Sequence, residues 1–443
     1  MRTAALHNLG CKVNSYETEA MQQLLEEAGY EIVPFHEKAD VYIINTCSVT
    51  NIADRKSRQM LHRAKKQNPD AVVVAAGCYV QAAAEELKAD LAVDVIIGNN
   101  KKQDLVPILE EYFKDKSDRS HVIEISETHE YERLSIHKIA DHTRAFLKIQ
   151  DGCNQFCSYC IIPYTRGRVR SRRPDEVVAE VRELATAGYQ EVVLTGIHLS
   201  SYGVDFKEEE KKENLLSLIK QVHEVEGIRR IRLGSLEPRI ITEEFAQALA
   251  SMPKFCPHFH LSLQSGCDKT LKRMNRHYTT EEYAAGCEIL RRYFDNPAIT
   301  TDVIVGFPGE TEEEFEETKA FLERIGFYEM HIFKYSRRAG TRADRMPEQV
   351  PEQVKSVRSE VLLKLEKQMS KAYRESFSGK KKTVLLEEKT EIGGRAYMIG
   401  HTMEYVKAVV PYADNLKNKM TEGILKEALN DEVLLLDSRN FLN

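Results

Sequence analysis

Apolar positions in the first 110 residues fall into short runs separated by stretches with helical spacing. Arg2–Leu9, Asp40–Asn45, Ala71–Ala76 and Val93–Ile97 read as buried strands. Between and after them, Ser15–Ala28, Ile52–Gln67, Val80–Lys88 and Leu105–Phe113 carry the i, i+3, i+4 spacing of amphipathic helices. Gly29 stops the first helix and Asn68-Pro69 the second. Such alternation predicts a doubly wound parallel sheet with helices on both faces. Ligands of these sheets bind beyond the carboxyl ends of the strands.

The charged stretch from Lys114 to His142 reads as an exposed linker with one strand at Val122–Ile125. A second alternation follows. Its strands are Ala145–Gln150, Glu191–Gly196, Ile231–Ser235, His258–Leu263, Thr301–Gly306 and Glu329–Tyr335. Its helices are Pro174–Ala187, Leu215–Val225, Glu243–Met252, Thr280–Tyr293 and Glu312–Ile325. Six strand repeats predict a partial (β/α)6 barrel, a fold whose chemistry sits at the carboxyl strand ends. After a polar helix at Glu352–Ser376 come short strands at Thr383–Glu387, Ala396–His401, Tyr405–Val410 and Glu432–Leu436. With glycine turns at Gly393-Gly394 and Gly423, they suit a small antiparallel β-barrel of the oligonucleotide-binding type. The expected organisation is α/β: a sheet domain over 1–115, a linker over 116–142, the partial barrel over 143–375 and the small barrel over 376–443.

Composition narrows this picture. The 443 residues are 42% hydrophobic and 30% charged, ordinary for a globular chain of about three domains. No apolar run approaches the ~18 residues of a membrane span. Met1 to His7 lacks the apolar core of a secretory leader, and nine cysteines form an odd set. A cytoplasmic protein without a membrane partner is expected. A net charge of −6 gives no overall nucleic-acid signal, so any such binding rests on local patches. Arg166, Arg168, Arg170, Arg172 and Arg173 form one patch free of acids, and Arg55–Lys66 adds six more Lys or Arg. Guanidinium groups grip phosphates and stack on bases, so these five arginines are the candidate RNA contacts. The C-terminal region balances ten Lys/Arg against ten Asp/Glu and is neutral as a whole.

The chemistry lies in the cysteines. Cys153, Cys157 and Cys160 form C-x3-C-x2-C directly after the first barrel strand. Three thiolates so close together hold three irons of a 4Fe–4S cluster and leave the fourth open to a small chelating molecule. A zinc site would want a fourth Cys or His at paired spacing, a ferredoxin four cysteines, and a disulfide scaffold a secreted chain. Cys11, Cys47 and Cys78 each follow one of the first three strands and so share one rim of the sheet, predicting a second three-cysteine site. Leu9 to Asn14 is not a G-x-G-x-x-G turn, which removes the dinucleotide reading. At the other barrel strand ends, Gly196, Gly306 and Gly309 would let a ligand approach the backbone. Glu237, Gln264 and Asp302 are suited to receive amine or hydroxyl groups. Gly196-Ile197-His198 offers no acid at the second strand end. Cys287 fits a core helix face; Cys256 and Cys267 are isolated, with Cys267 near enough to a strand end to approach the site.

Two cysteine triads in this order, on an α/β domain and a barrel with a small C-terminal barrel, resemble the radical S-adenosylmethionine (SAM) methylthiotransferases throughout the chain. In that family the last module is called a TRAM domain. Leu9-Gly10-Cys11-Lys12-Val13-Asn14-Ser15-Tyr16-Glu17 resembles the branch acting on threonylcarbamoyladenosine in tRNA. The resemblance implies two 4Fe–4S clusters: one on Cys153, Cys157 and Cys160 that cleaves SAM, and an auxiliary one on Cys11, Cys47 and Cys78 for sulfur delivery. It implies that Tyr159 meets the SAM adenine through its backbone; Gly196, Glu237, Gln264 and Asp302, read from the strand ends, are the further candidates for contact with that cofactor. The implied reaction adds a methylthio group to carbon 2 of the modified adenosine beside the anticodon. One SAM would give the methyl and another the 5′-deoxyadenosyl radical, because an aromatic C–H is beyond any side-chain base. Partners would be tRNA, a sulfur source and an electron donor such as flavodoxin or ferredoxin. Rival readings are methylthiolation of isopentenyladenosine in tRNA or of a ribosomal-protein aspartate, and a two-cluster electron carrier.

Overall fold

The computed structural model describes residues 1–136, 143–207 and 212–438. Its first sheet contains β1 (Thr3–Asn8), β2 (Glu31–Ile32), β3 (Val41–Thr46), β4 (Val72–Gly77), β5 (Val95–Ile97) and β6 (Ser120–His121). The order is β2-β1-β3-β4-β5-β6, all parallel. The helices are α1 (Lys12–Glu27), α2 (Asn51–Gln67), α3 (Cys78–Ala82), α4 (Ala84–Lys88) and α5 (Leu105–Lys114). α1 and α5 bury Met21, Leu25, Leu105 and Leu109 against one face. α2, α3 and α4 bury Leu61, Tyr79 and Leu87 against the other. β3 and β4 are buried along their whole length, hence their uninterrupted apolar runs.

Two expectations change here. The helix expected at Val80–Lys88 starts at Cys78 and breaks at Ala83, whose backbone leaves helical geometry. The region after Lys114 is exposed only in part. β6 extends the sheet just before the strand expected at Val122–Ile125, and Ile125, Leu134 and Ile136 are buried. Glu132 accepts the backbone N–H groups of Lys102 and Gln103. Its apolar residues follow no regular period, so only tertiary contacts reveal their burial. The end of that expected linker, 137–142, lies outside the described residues.

The second unit runs β7 (Arg144–Asp151), α6 (Ile162–Thr165), β8 (Arg170–Ser171), α7 (Pro174–Thr186), β9 (Glu191–Gly196), α8 (Leu215–His223) and β10 (Arg230–Leu233). It continues with α9 (Glu243–Ala250), β11 (His258–His260), α10 (Asp268–Arg273), α11 (Thr280–Tyr293), β12 (Ala298–Val305), α12 (Glu312–Ile325) and β13 (Glu329–Lys334). Two sheets, β10-β9-β7-β8 and β11-β12-β13, meet at the Leu236–Leu261 bridge. Six parallel strands thus curve in chain order into the open barrel expected, with β8 a short antiparallel addition. Leu147, Ile149, Val192, Leu194, Ile231 and Leu233 face the helix layer. Strand alternation therefore turns Arg144, Phe146, Lys148, Glu191, Arg230 and Arg232 toward the concave side.

α13 (Glu352–Glu375) leads to β14 (Lys381–Ile392), β15 (Arg395–His401), β16 (Lys407–Pro411), β17 (Met420–Ala428) and β18 (Leu434–Asp437). These close a barrel in the order β14-β15-β16-β18-β17, in which only the β16–β18 pairing is parallel. Gly393 and Gly394 form the expected turn, with φ +57° and +75°. Gly423 does not: it lies inside β17, where a Cβ would come within 2.6 Å of the Asp437 carbonyl. This barrel docks under the strand beginnings of the open one. Arg230 donates to His401 O at 2.8 Å and Thr383 O at 2.7 Å, and Arg232 to Met403 O at 2.9 Å. Tyr405, at φ +70°, sits between the His258 and His401 rings (centroids 4.9 and 4.3 Å) with Arg144 and Arg232 over its face.

Candidate active site

β7 delivers the chain to Gly152, at φ +70°, where any Cβ would overlap the Arg168 carbonyl. Only glycine lets the loop fold back here. Cys153 N–H donates to Gly167 O and Cys160 N–H to Cys157 O, both at 3.0 Å. Ser158 N–H donates to Met274 O at 2.9 Å, its Oγ to Arg273 O at 2.8 Å, and Asn275 Nδ2 to Phe156 O at 3.1 Å. The three-cysteine loop is therefore sewn to the end of α10. From there Arg276 reaches in, donating to Cys157 Sγ at 3.1 Å and lying 3.7 Å from Glu237, which is 3.7 Å from His198. Burial pushes the Cys153 thiol up to about 11 and Cys160 up to about 12, and their thiol neighbours add to both rises. Without iron these groups stay protonated at neutral pH, so cluster assembly releases protons.

The second triad is built from three loops. Cys11 precedes α1, Cys47 follows β3 and Cys78 opens α3, all at the carboxyl ends of adjacent parallel strands. At Gly10, φ +107°, a Cβ would stand 2.9 Å from Cys47 Sγ, so glycine lets the two loops touch. Cys11 keeps accessible surface although protein surrounds it, as a residue lining an internal recess does. The Cys11 and Cys47 thiols, both raised chiefly by burial, each feel Cys78 and Arg166.

Arg166 joins the triads. It comes from the segment after the C-x3-C-x2-C loop, yet its Nε donates to Cys78 Sγ at 3.2 Å. Its other nitrogens donate to Asn14 at 2.6 Å, Glu17 at 2.9 Å and Asp151 at 3.0 Å. Lys148 bridges the same two carboxylates, and Lys102 adds a third cation to Glu17 at 3.1 Å. Burial opposes ionisation of Glu17, but Arg166, Lys102 and Lys148 outweigh it and hold the carboxyl well below its ordinary range.

The arginine patch is thereby corrected. Arg166 and Arg170 are fully buried and Arg172 nearly so. Arg170 donates to Arg166 O at 2.8 Å, and Arg172 pairs with Glu180. Their acids come from Glu17, Asp151 and Glu180, remote enough in sequence to make the run look unpaired. Only Arg168 and Arg173 remain exposed; Arg168 lies over the Phe156 ring at 4.6 Å.

The other candidates scatter around the first triad. Tyr159 packs edge-on to Phe307, with ring centroids 6.3 Å apart. Glu237 is buried beside Arg276, and its Oε1 makes no hydrogen bond among the described residues. Gln264, at φ +73°, bridges to Val303, and Asp302 lies 3.4 Å from His260. Gly196 is small for a protein reason: a Cβ would meet Gln150 at 2.9 Å. Likewise Lys355 packs against Gly306, and Glu348 and Arg273 against Gly309, so neither opens space for a ligand. Cys267 is buried against Ser265 and Glu317 and does not approach the site. Cys287 lies in the core, as expected. Sequence reasoning missed Arg276, His198 and Lys12, because nothing in their local pattern shows which strand ends fold together.

An open six-stranded barrel whose first strand end carries a three-cysteine loop defines a radical SAM enzyme. Residues 147–322 match the family model of the Radical SAM superfamily, and residues 3–98 that of the uncharacterized protein family UPF0004. The chain is 43% identical over 424 residues to the threonylcarbamoyladenosine tRNA methylthiotransferase MtaB of Bacillus subtilis (strain 168), covering 95% of this chain and 93% of that protein. It is 38% identical to the tRNA-2-methylthio-N(6)-dimethylallyladenosine synthase of Moorella thermoacetica, covering 87% of each. In fold it is similar to the radical SAM methyltransferase TsrM of Kitasatospora setae (TM-score 0.56, 15% identity, 75% of this chain and 73% of that one). The chain belongs to the radical-SAM tRNA methylthiotransferases, enzymes that work on tRNA with SAM and 4Fe–4S clusters. Its residues suit those groups. Each site offers three thiols and an adjacent arginine to offset cluster charge, and the first adds the buried Glu237, whose Oε1 makes no hydrogen bond among the described residues, for an amine. Among the described residues no helix is long and apolar enough to cross a membrane.

Proposed function

We propose that this enzyme transfers a methylthio group to carbon 2 of threonylcarbamoyladenosine beside the anticodon. Cys153, Cys157 and Cys160 hold the SAM-cleaving cluster, and Cys11, Cys47 and Cys78 the auxiliary one. The first such cluster would supply the electron for reductive cleavage of SAM. The chain's own residues position the reactants. Glu237 accepts the methionine amine in place of the acid missing after Gly196, held by Arg276 and by Ser200 Oγ on its backbone N–H. Tyr159, Gln264 and Asp302 line the SAM side. Arg168 and Arg173 meet RNA phosphates at the mouth. The electron would come from a partner such as a flavodoxin or ferredoxin, and the sulfur from a source outside this chain.

The observation that supports this reading is Arg166, which follows the C-x3-C-x2-C loop in the chain and whose Nε donates to Cys78 Sγ of the second triad. The residues around Cys11 and the relatives' names favour threonylcarbamoyladenosine over dimethylallyladenosine. Protein reconstituted anaerobically with iron and sulfide is incubated with SAM, reductant and tRNA bearing one or the other base. Mass spectrometry of the nucleosides should find one methylthio group gained on threonylcarbamoyladenosine. Gain on dimethylallyladenosine alone would overturn the substrate assignment.

A further inference from the structure

The lumen of the open barrel holds an ammonium group that has no hydrogen bond or ion pair among the described residues. Lys12 opens α1 immediately after Cys11, and its side chain keeps accessible surface. Its Nζ lies 6.0 Å from the Phe146 ring on the concave side of β7, and its electrostatic neighbours are Arg144, Arg232 and Glu191 at the strand beginnings. His258, which starts β11, feels the same charge. The lysine therefore reaches from the auxiliary triad into the lumen that Tyr405 closes from below.

The acids there are already taken. Glu191 receives Arg232 Nε at 2.8 Å and lies 3.7 Å from Arg230. Glu387 pairs with Arg144 at 3.1 Å and His401 at 2.7 Å. Among the described residues Lys12 makes no hydrogen bond or ion pair. An accessible ammonium with two further cations nearby sets up a local positive field in which an anion is favoured. Nucleobase, ribose and an isoprenoid substituent carry no anion into such a lumen; an amino acid attached through its nitrogen carries a carboxylate.

We infer that Lys12 binds the carboxylate of the threonylcarbamoyl substituent and so selects this base over one with an apolar substituent. The inference rests on the substrate reading above and deepens it. Arg144 and Arg232 strengthen the field but remain tied to their acids, whereas Lys12 has no acid bound to it among the described residues.

The test uses full-length reconstituted enzyme and three anticodon stem-loops, carrying threonylcarbamoyladenosine, its threoninamide analogue and dimethylallyladenosine. Binding is read by fluorescence anisotropy and turnover by nucleoside mass spectrometry, with iron content recorded for each variant. Lys12→Gln should weaken binding of the carboxylate loop at least ~10-fold, while binding of the amide loop stays as in the wild type. Lys12→Arg should restore much of the loss. Equal binding of the carboxylate loop by wild type and K12Q overturns the inference, as does an equal loss for the carboxylate and amide loops. Wild type that modifies only a dimethylallyladenosine loop overturns the substrate reading and this inference with it. Wild type that modifies the threonylcarbamoyl loop beside an unimpaired K12Q removes this inference alone.

Discussion

Arg166 touches a cysteine thiol, an amide and two carboxylates at once, so its loss acts on two properties. A cation that donates to a cluster sulfur ligand favours the reduced, more negative state. Arg166→Gln should therefore make the auxiliary centre harder to reduce, seen as a negative shift in an EPR-monitored redox titration, with a smaller change at the Cys153 centre. It should also lower stability by roughly 3 kcal/mol, because Glu17 and Asp151 stay buried with one cation fewer. Glu19 carries the opposite kind of strain. Burial pushes its carboxyl up to about 7, against about 4.3 in an unfolded chain. The folded state thus holds a proton that the unfolded state has lost between those values, so stability falls as pH rises through that window. Glu19→Gln should raise Tm at pH 8 by the equivalent of about 1–2 kcal/mol, allowing for partial exposure, and change it little at pH 4.

Elements were legible where a period repeats. The four N-terminal strands show in their apolar runs, because parallel strands covered on both faces have little polar side to confuse the pattern. The six barrel strands show although charged residues such as Arg144, Lys148, Arg230 and Arg232 face the concave side, because the positions facing the helices stay apolar. β17 did not show: Met420–Ala428 mixes Glu422, Lys426 and Glu427 with a glycine that reads as a turn, yet Gly423 is there because β18 passes too close for a side chain. The site divides in the same way. Six cysteines reveal themselves by spacing or by position at strand ends, whereas Arg276 and Lys12 gain meaning only once distant loops meet. The arginine run misled for that reason, its partners lying on α1, β7 and α7. Gly152 joins strand to site. Gly152→Ala must part the cysteine loop from Arg168, so reconstituted protein should lose iron from the Cys153 site and the associated SAM cleavage. The Cys11, Cys47 and Cys78 site should keep its iron, as Mössbauer counting of the two centres will check.

At the scale of the whole molecule, the C-terminal barrel serves as a floor as well as an appendage. Arg230 and Arg232 leave the open barrel to bond its carbonyls, and Tyr405 stacks into the gap. Removing that ring takes away two aromatic contacts and two cation contacts. Tyr405→Ala should cost about 2–3 kcal/mol and bring early cleavage near residues 376–380 in limited proteolysis.

The buried lattice of Glu17, Lys102, Lys148, Asp151 and Arg166 has a genetic consequence. Two of its members lie in the first 115 residues and three in the barrel, and removing a charge on either side leaves a buried partner uncompensated. A chimera that borrows its front portion from a homologue inherits half a lock. Such hybrids should accumulate only when all five charges travel together, so the chain is constrained to evolve as one block.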